Sequence, residues 1–262
     1  MGAGLLQRWR AHREAAAVAR KPIPEALWKR NLVRYPFLRR RDPTDEAELR
    51  RLTSLFLDRK EFNAAPGVRL SDDVVVAIAS QACLPVLRLG LAAYDDFVGI
   101  VLHPDQVVAR RAVTDDDGVV HEYDEVLSGE AVRGGPVMLS WRDVRTAGRS
   151  AADAYNVVIH EFAHVLDMAN GEADAMPPLP AAIGRAEWQR VIETDYAAFT
   201  ERVDAGHDTA LDPYGAEAID EFFAVASEAF FVAPRAMKKE HPALYGVFVR
   251  YYRQDPAAEG FF

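Results

Sequence analysis

The sequence has almost no cysteine and no long uninterrupted hydrophobic run. Cys83 is the only cysteine among 262 residues, so the chain cannot form an internal disulfide bond. A single cysteine in an apolar segment is typical of a small buried side chain in a reducing compartment, and we expect a cytoplasmic protein. The longest apolar segment, residues 74–91, contains serine, glutamine, proline and arginine. We interpret it as a buried helix pair and expect no membrane span.

Basic residues are scarce after residue 41. Residues 1–41 contain eleven Lys or Arg and two Glu, whereas the rest of the chain contains twenty Lys or Arg and thirty-eight Asp or Glu. An acidic body argues against direct nucleic-acid binding. We therefore divide the chain into a basic N-terminal extension, residues 1–45, and a single domain, residues 46–262. The extension has no secretory signal pattern and is expected to be partly helical or flexible.

The most informative motif lies within residues 156–167. There His160, Glu161 and His164 form the pattern His-Glu-x-x-His. Histidines four residues apart lie on one face of an α-helix, so both imidazoles can point at one metal ion. A catalytic zinc ion takes three protein ligands and leaves one position for water, and Glu161 beside that position can act as a general base. The motif predicts a zinc-dependent hydrolase if it lies on a helix.

The residues around the motif favour such a helix. Ser150 is the predicted N-cap, with Asp153 three residues later in the manner of a capping box. Apolar residues follow at helical spacing, and Asn170-Gly171 predicts the helix end. In this setting we disfavour the alternative that two core histidines merely satisfy neighbouring polar groups.

Two histidines do not complete a catalytic zinc site, so a third ligand is needed. Asp167 lies on the same helical face as His160, but its short carboxylate would more naturally accept an imidazole N–H behind the metal. The other source is a predicted apolar helix over residues 217–231, in which three glutamates share one stripe. They are Glu217, Glu221 and Glu228.

Carboxylates within so apolar a helix are costly unless they are paired or bind a metal. Glu221 has apolar residues on all sides and is our predicted third ligand. Glu228, two turns later, is interpreted either as a supporting group behind a ligand or as a partly exposed surface glutamate.

The remaining patterns predict an α+β protein that is mainly helical, with a small sheet before the metal-binding helix. Prolines break the helices of residues 22–62, where one helix is expected over residues 44–62. Three β-type runs predict an antiparallel or mixed sheet, and another helix follows the motif. The runs are residues 97–102, 119–126 and 136–141, and the later helix covers residues 186–203.

Several segments together carry a resemblance to a known family. They are residues 83–90, 126–129, 135–141, 160–167 and 221–231, within a match from about residue 50 to residue 256. In combination they resemble the Mlc titration factor A (MtfA) family of bacterial zinc metallopeptidases. The basic N-terminus is not part of the resemblance.

This resemblance implies a zincin-like fold with a gluzincin-like site. It implies that His160, His164 and Glu221 bind one Zn²⁺ and that Glu161 is the general base. Tyr214, shortly before the third ligand, matches a family tyrosine that could donate to the oxyanion. The resemblance also implies aminopeptidase-like cleavage of short peptides and binding of an Mlc-type transcriptional repressor that controls sugar-uptake genes.

Two alternatives remain open at this point. The protein could be a non-catalytic regulator in which zinc only maintains shape, although structural zinc sites normally have four protein ligands, often cysteines. The predicted strand over residues 136–141 could be a sheet edge that pairs with an extended peptide substrate, or it could be an interior strand.

Overall fold

The computed structural model describes residues 2–39, 42–114, 120–147 and 154–258, and it confirms the predicted α+β class. Helices predominate, and a small sheet precedes the helix that contains the motif. The helices are α1 (Gly2–Arg20), α2 (Glu25–Arg34), α3 (Pro43–Arg59), α4 (Asp72–Cys83), α5 (Trp141–Thr146), α6 (Val157–Asp167), α7 (Arg185–Asp204), α8 (Ile219–Val232), α9 (Pro234–Glu240) and α10 (Pro242–Tyr252). The strands are β1 (Glu61–Ala64), β2 (Gly99–His103), β3 (Val107–Thr114), β4 (Val120–Leu127), β5 (Gly129–Ala131) and β6 (Val137–Ser140).

Four of these strands form a mixed sheet in the order β1-β2-β6-β5. The pairs β1–β2 and β2–β6 are parallel, whereas β5 is antiparallel to β6. Strands β3 and β4 form a separate antiparallel hairpin. The predicted strand over residues 136–141 is therefore interior, and its interpretation as an edge for peptide pairing is wrong. The edge strand next to β6 is β5.

The motif helix α6 is packed into the core through Phe162. The Phe162 ring is fully buried, and its centroid lies 5.7 Å from that of Phe56, 5.0 Å from that of Tyr94 and 5.5 Å from that of Phe97. Burial of one aromatic side chain of this size contributes about 1.5–3 kcal/mol to stability. These contacts hold α6 against α3 and the start of the sheet, so its polar face has a defined position.

Two predictions about the first half of the chain are confirmed for the start of each segment and wrong for its end. The helix expected over residues 44–62 ends at Arg59, because the next residues form the extended strand β1. The segment 74–91 is one helix, α4, followed by turns rather than by a second helix. Helix α4 ends at Cys83, two residues before Pro85, which has no backbone N–H to continue the hydrogen-bond ladder.

Residues from the first 45 positions contribute to the common core. Trp28, Tyr35, Phe37 and Leu38 are at most 1% exposed and belong to the same buried cluster as the side chains of α3, α4 and α6. Helix α1 is attached to α3 by ion pairs that join Arg20 to Asp58 and Glu14 to Arg51. None of the described helices has an apolar stretch of the length that crosses a membrane.

Candidate metal centre

Helix α6 begins later than predicted, and its N-cap is Asn156. The Asn156 side-chain oxygen accepts a hydrogen bond from the backbone N–H of Ile159 at 3.0 Å. Its amide group also donates to the Gln81 side chain of α4 at 2.9 Å, which holds the helix start against α4. The prediction of Ser150 as N-cap is wrong, and Ser150 and Asp153 lie outside the described residues. Asparagine before an apolar run is itself an N-cap signal.

Three side-chain atoms from α6 and α8 converge on one point. The Nε2 atoms of His160 and His164 are 3.2 Å apart. Glu221 Oε2 lies 3.0 Å from His160 Nε2 and 3.4 Å from His164 Nε2. Glu221 Oε2 is buried, yet it makes no hydrogen bond of acceptable geometry in the described part of the chain. Its close contacts with ionisable groups in the described residues are thus with the two imidazoles.

This spacing fits a divalent metal ion. Tetrahedral ligand atoms at about 2.0–2.2 Å from zinc lie roughly 3.3 Å from one another. The three observed separations of 3.2, 3.0 and 3.4 Å are close to that value. Two imidazoles and a carboxylate are also a ligand set that zinc accepts in catalytic sites. Asp167 and Glu217 do not belong to this cluster.

Electrostatic effects within the cluster also favour a cation. Burial acts to lower the pKa of His160, but the carboxylates of Glu221 and Glu228 outweigh it and raise that pKa well above its usual value. Burial acts to raise the pKa of Glu221, but the two imidazoles outweigh it and lower that pKa. Both shifts arise from attraction between the imidazoles and the carboxylates, so the carboxylates favour positive charge at this point.

Glu228 is buried behind His160. It is 2% exposed, and its Oε1 lies 2.8 Å from His160 Nδ1. Its other oxygen accepts a hydrogen bond from the backbone N–H of Asn156. The alternative of a partly exposed surface glutamate is wrong. A carboxylate that accepts from Nδ1–H fixes the tautomer of the imidazole, so that the Nε2 lone pair faces Glu221 and His164.

Asp167 is neither a member of the metal-binding cluster nor an acceptor for an imidazole N–H, the two roles considered from the sequence. It is fully buried, and its Oδ2 accepts a hydrogen bond from the backbone N–H of Ala175 at 2.8 Å rather than from an imidazole. Its Oδ1 has no hydrogen-bond partner among the described residues. Burial raises the pKa of Asp167 to about 7. Asp167 therefore holds the loop that follows α6, in which Ala175 has a positive φ of 57°.

The Glu161 carboxylate lies against Gly129 of β5. A Cβ atom added to Gly129 would be 2.4 Å from Glu161 Oε1, so no side chain fits at this position. Burial raises the pKa of Glu161 to about 7, although His160 and His164 act in the opposite direction. Sequence reasoning noted Gly129 only as part of a matching segment and missed its contact with Glu161. Gly129 is the first residue of a three-residue strand, which is too short for a periodic pattern, so the sequence held no signal for this contact.

Tyr214 stands at the mouth of the cluster. It lies in a 3-10 helix, Pro213–Ala216, whose first turn is capped by Asp212 through a hydrogen bond of 3.0 Å from the Tyr214 backbone N–H. The Tyr214 ring centroid is 6.0 Å from that of His160, and the residue is 38% exposed. The next residue, Gly215, packs directly against α8, so the turn is held close to Glu221.

Comparison with known proteins agrees with this geometry. The family described as glucose-regulated metallo-peptidase M90 matches residues 6–253. The chain belongs to this metallopeptidase family. Membership implies a bound metal, and His160, His164 and Glu221 are the residues that could hold it. The M90 match begins at residue 6, so it includes most of the basic N-terminus that the earlier resemblance left out.

Several relatives of this chain carry the name Mlc titration factor A. The protein of Klebsiella pneumoniae strain 342 is 34% identical over 234 residues, which cover 88% of this chain and 87% of the relative. The protein of Salmonella arizonae is 36% identical over 234 residues, which cover 88% of this chain and 92% of the relative. The protein of Edwardsiella ictaluri is 35% identical over 238 residues, which cover 90% of this chain and 88% of the relative. The predicted resemblance to the MtfA family is confirmed.

Proposed function

We propose that this protein is a cytoplasmic, zinc-dependent peptidase that cleaves short peptides in the manner of an aminopeptidase. The observation that carries this proposal is that a buried carboxylate, Glu161, lies beside three convergent ligand atoms. A closed, structural zinc site would require one more protein ligand. Asp167 and Glu228, the other buried carboxylates of α6 and α8, are engaged elsewhere: Asp167 accepts from the Ala175 backbone N–H, and Glu228 contacts His160 Nδ1.

His160, His164 and Glu221 would hold the metal, with Glu228 orienting His160. A zinc ion bound there supplies Lewis acidity, which polarises the substrate carbonyl and makes water more acidic. The protein's own contribution is to fix these three ligand atoms before the substrate arrives, through the Phe162 cluster and the Asn156 cap.

Glu161 is the proposed general base and acid. Its carboxylate accepts a proton from the attacking water and afterwards delivers that proton to the departing amine. A group that performs both steps works best when its pKa is near the working pH, and burial moves the Glu161 pKa in that direction. The Tyr214 hydroxyl is the proposed donor to the oxyanion that forms on the substrate carbonyl.

The edge of β5 that faces away from β6 is the proposed binding site for the peptide backbone. The backbone N–H of Ser140 donates to the carbonyl of Ser128 at 2.7 Å. In this register the backbone N–H and C=O groups of residues 128 and 130 point towards β6. In an antiparallel pair this direction alternates, so Gly129 and Ala131 direct theirs away from β6. Because Gly129 also contacts Glu161, an extended peptide paired with this edge passes directly beside the proposed base.

The test is hydrolysis of chromogenic amino-acid and short-peptide substrates by the zinc-loaded protein and by Glu161→Gln. We expect the variant to bind zinc at the same stoichiometry and to lose about 10²–10⁴-fold in turnover, because it can no longer accept the proton. Glu201→Gln, on the exposed face of α7, is the matched control and is expected to retain full activity. Equal rates for Glu161→Gln and the wild type would remove Glu161 from the mechanism.

A second candidate function is sequestration of an Mlc-type repressor, which the name Mlc titration factor A of several relatives suggests. In this hypothesis zinc maintains the shape of a non-catalytic regulator. A pull-down with such a repressor distinguishes the two roles when Glu161→Gln is included. Binding by both proteins without any hydrolysis supports the regulator, whereas hydrolysis without binding supports the peptidase alone.

A further inference from the structure

A fully buried glutamine, Gln81, lies in the apolar helix α4. Every side chain of this helix from Val76 to Cys83 is buried. A buried amide costs free energy unless its polar atoms are hydrogen-bonded, and an apolar side chain of the same size would pack there without that cost. Both polar atoms of the Gln81 amide have partners, and one of these partners, Asn156, is the N-cap of the motif helix α6.

The hydrogen bonds of Gln81 allow only one orientation of its amide. Its Nε2 donates to the backbone carbonyl of Ala77 at 2.9 Å, and its Oε1 accepts from Asn156 Nδ2 at 2.9 Å. An amide turned the other way would place oxygen against the Ala77 carbonyl and nitrogen against the Asn156 nitrogen. The Asn156 amide is fixed as well, because its oxygen accepts from the backbone N–H of Ile159. Gln81 and the first turn of α6 therefore hold the Asn156 side chain by both of its polar atoms.

Asn156 connects the Gln81 amide to the carboxylate behind His160. The Asn156 backbone N–H donates to Glu228 Oε2, and Glu228 Oε1 lies 2.8 Å from His160 Nδ1. The side chains of Gln81, Asn156 and Glu228 are at most 2% exposed. Because bulk water does not reach these groups, solvent does not replace a hydrogen bond that is lost among them.

Loss of the Gln81 acceptor would leave the Asn156 amide nitrogen buried without a partner. Asn156 would then turn to regain a hydrogen bond, and its backbone N–H would move away from Glu228. Glu228 would have a less defined position, because its second oxygen would have lost the backbone donor. A carboxylate behind a metal-binding imidazole fixes the ring and its tautomer, so a less defined Glu228 would orient His160 less well.

We propose that Gln81 is a positioning residue of the metal centre. From α4 it fixes Asn156, which holds Glu228, which in turn orients His160. The inference rests on the metal site of the proposed function. It adds to that site a residue of a helix that supplies no proposed ligand and no part of the His-Glu-x-x-His motif.

The test compares zinc affinity in the wild type and in Gln81→Met, measured by competition with a chromogenic chelator. Methionine has nearly the same length as glutamine but no hydrogen-bonding amide. We expect the variant to bind zinc about tenfold more weakly, at the lower end of the effect of losing a group directly behind a ligand. The visible absorption of the Co²⁺-loaded variant, which depends on the arrangement of the ligands, should also differ from that of the wild type.

Ser80→Ala is the matched control. Ser80 is the preceding residue of α4, is equally buried, and accepts a hydrogen bond from Asn31 Nδ2 of α2 at 2.8 Å. This variant should lower the Tm about as much as Gln81→Met does, with zinc affinity and the Co²⁺ spectrum unchanged. Equal losses of zinc affinity in the two variants would overturn the positioning role, and so would wild-type affinity in Gln81→Met.

The double variant Gln81→Met/Glu228→Ala tests whether Gln81 acts through Glu228. Once the carboxylate is absent, the change at Gln81 should weaken zinc binding by less than about twofold further. Losses that multiply as independent effects would overturn the proposed path. Because zinc binding is measured without substrate, the result is separate from hydrolysis. A wild type that binds zinc but cleaves no peptide, with affinity lost in Gln81→Met alone, would support the positioning role and remove the peptidase function.

Asn156→Ser replaces Gln81→Met if that variant does not fold. Serine retains a cap oxygen for the backbone N–H of Ile159 but removes the amide that donates to Gln81. The same loss of zinc affinity, about tenfold, is expected. Wild-type zinc affinity in Asn156→Ser would contradict the role of Gln81, because the bond between the two side chains would then have no effect on the metal centre.

Discussion

At the scale of single residues, three carboxylates around α6 differ because their surroundings differ. Glu221 has one oxygen close to two imidazoles, Glu228 accepts hydrogen bonds from an imidazole and a backbone N–H, and Glu161 lies against a glycine. These contacts suit the three proposed roles of ligand, positioning group and base. Each role leads to a different expected result when the carboxylate is neutralised.

Glu228→Gln is expected to weaken metal binding without removing it. A neutral amide can still accept from the His160 imidazole, but it makes the ring a poorer electron donor and loses the charge that complements a cation. Loss of such a partner typically lowers metal affinity 10–100-fold. Zinc affinity can be measured by competition with a chromogenic chelator, with the exposed Glu217→Gln as the control. Unchanged affinity in Glu228→Gln would show that Glu228 does not support the metal through His160.

Asp167→Asn is expected to change how stability depends on pH. Burial raises the pKa of Asp167 to about 7, so the folded protein retains this proton to a higher pH than the unfolded chain does. The wild type therefore loses stability as pH rises from about 4 to 7, because ionisation is disfavoured in the fold.

Asparagine cannot ionise, and its oxygen can still accept from Ala175. Urea unfolding of the metal-saturated proteins at pH 5 and pH 8 tests this expectation. Between these two values the wild type should lose about 2 kcal/mol more than Asp167→Asn. Equal losses in both proteins would mean that Asp167 is not protonated in the fold.

At the scale of elements, the contact between β5 and α6 determines where the general base lies. Gly129→Ala is expected to reduce turnover about as strongly as a direct change at Glu161, because the new methyl group occupies the position of the carboxylate. Zinc content and thermal stability should change much less, since the metal ligands are on other residues. Gly246→Ala is the control, because a Cβ there meets no atom within 4 Å. A fully active Gly129→Ala variant would contradict the packing of Glu161 against β5.

The elements also show which parts of the site could be predicted from the sequence. Helices α6 and α8 are long and have strong apolar patterns, so the sequence could predict them and the placement of His160, His164 and Glu221 on them. Strand β5 has only three residues, too few for a periodic signal, and its place at the sheet edge depends on long-range pairing with β6. For the same reason the contact of Gly129 with Glu161 could not be predicted, and the interior position of β6 could not be distinguished from an edge.

At the scale of the whole molecule, the basic N-terminus packs with the rest of the chain. The predicted division at residue 45 stays a prediction, but the cluster that includes Trp28, Tyr35, Phe37 and Leu38 crosses it. Tyr35 also donates to the carbonyl of Val144 in α5 at 3.1 Å, and Asn31 donates to Ser80 of α4 at 2.8 Å. These contacts reach the elements that surround α6, so the N-terminal residues support the metal centre from behind.

Removal of residues 1–45 is therefore expected to prevent stable folding. Seven apolar side chains of that segment larger than alanine are at most 6% exposed, namely Ile23, Leu27, Trp28, Leu32, Tyr35, Phe37 and Leu38. At about 2 kcal/mol each, their burial approaches the whole free energy of unfolding of an ordinary domain, about 5–15 kcal/mol. Removal of residues 1–20 is the matched truncation, because it deletes α1 and retains α2, and it should leave a folded protein with a lower Tm. Circular dichroism melting and zinc content measure both. A cooperative transition at the wild-type Tm in the protein that starts at residue 46 would establish the N-terminal segment as a separable extension.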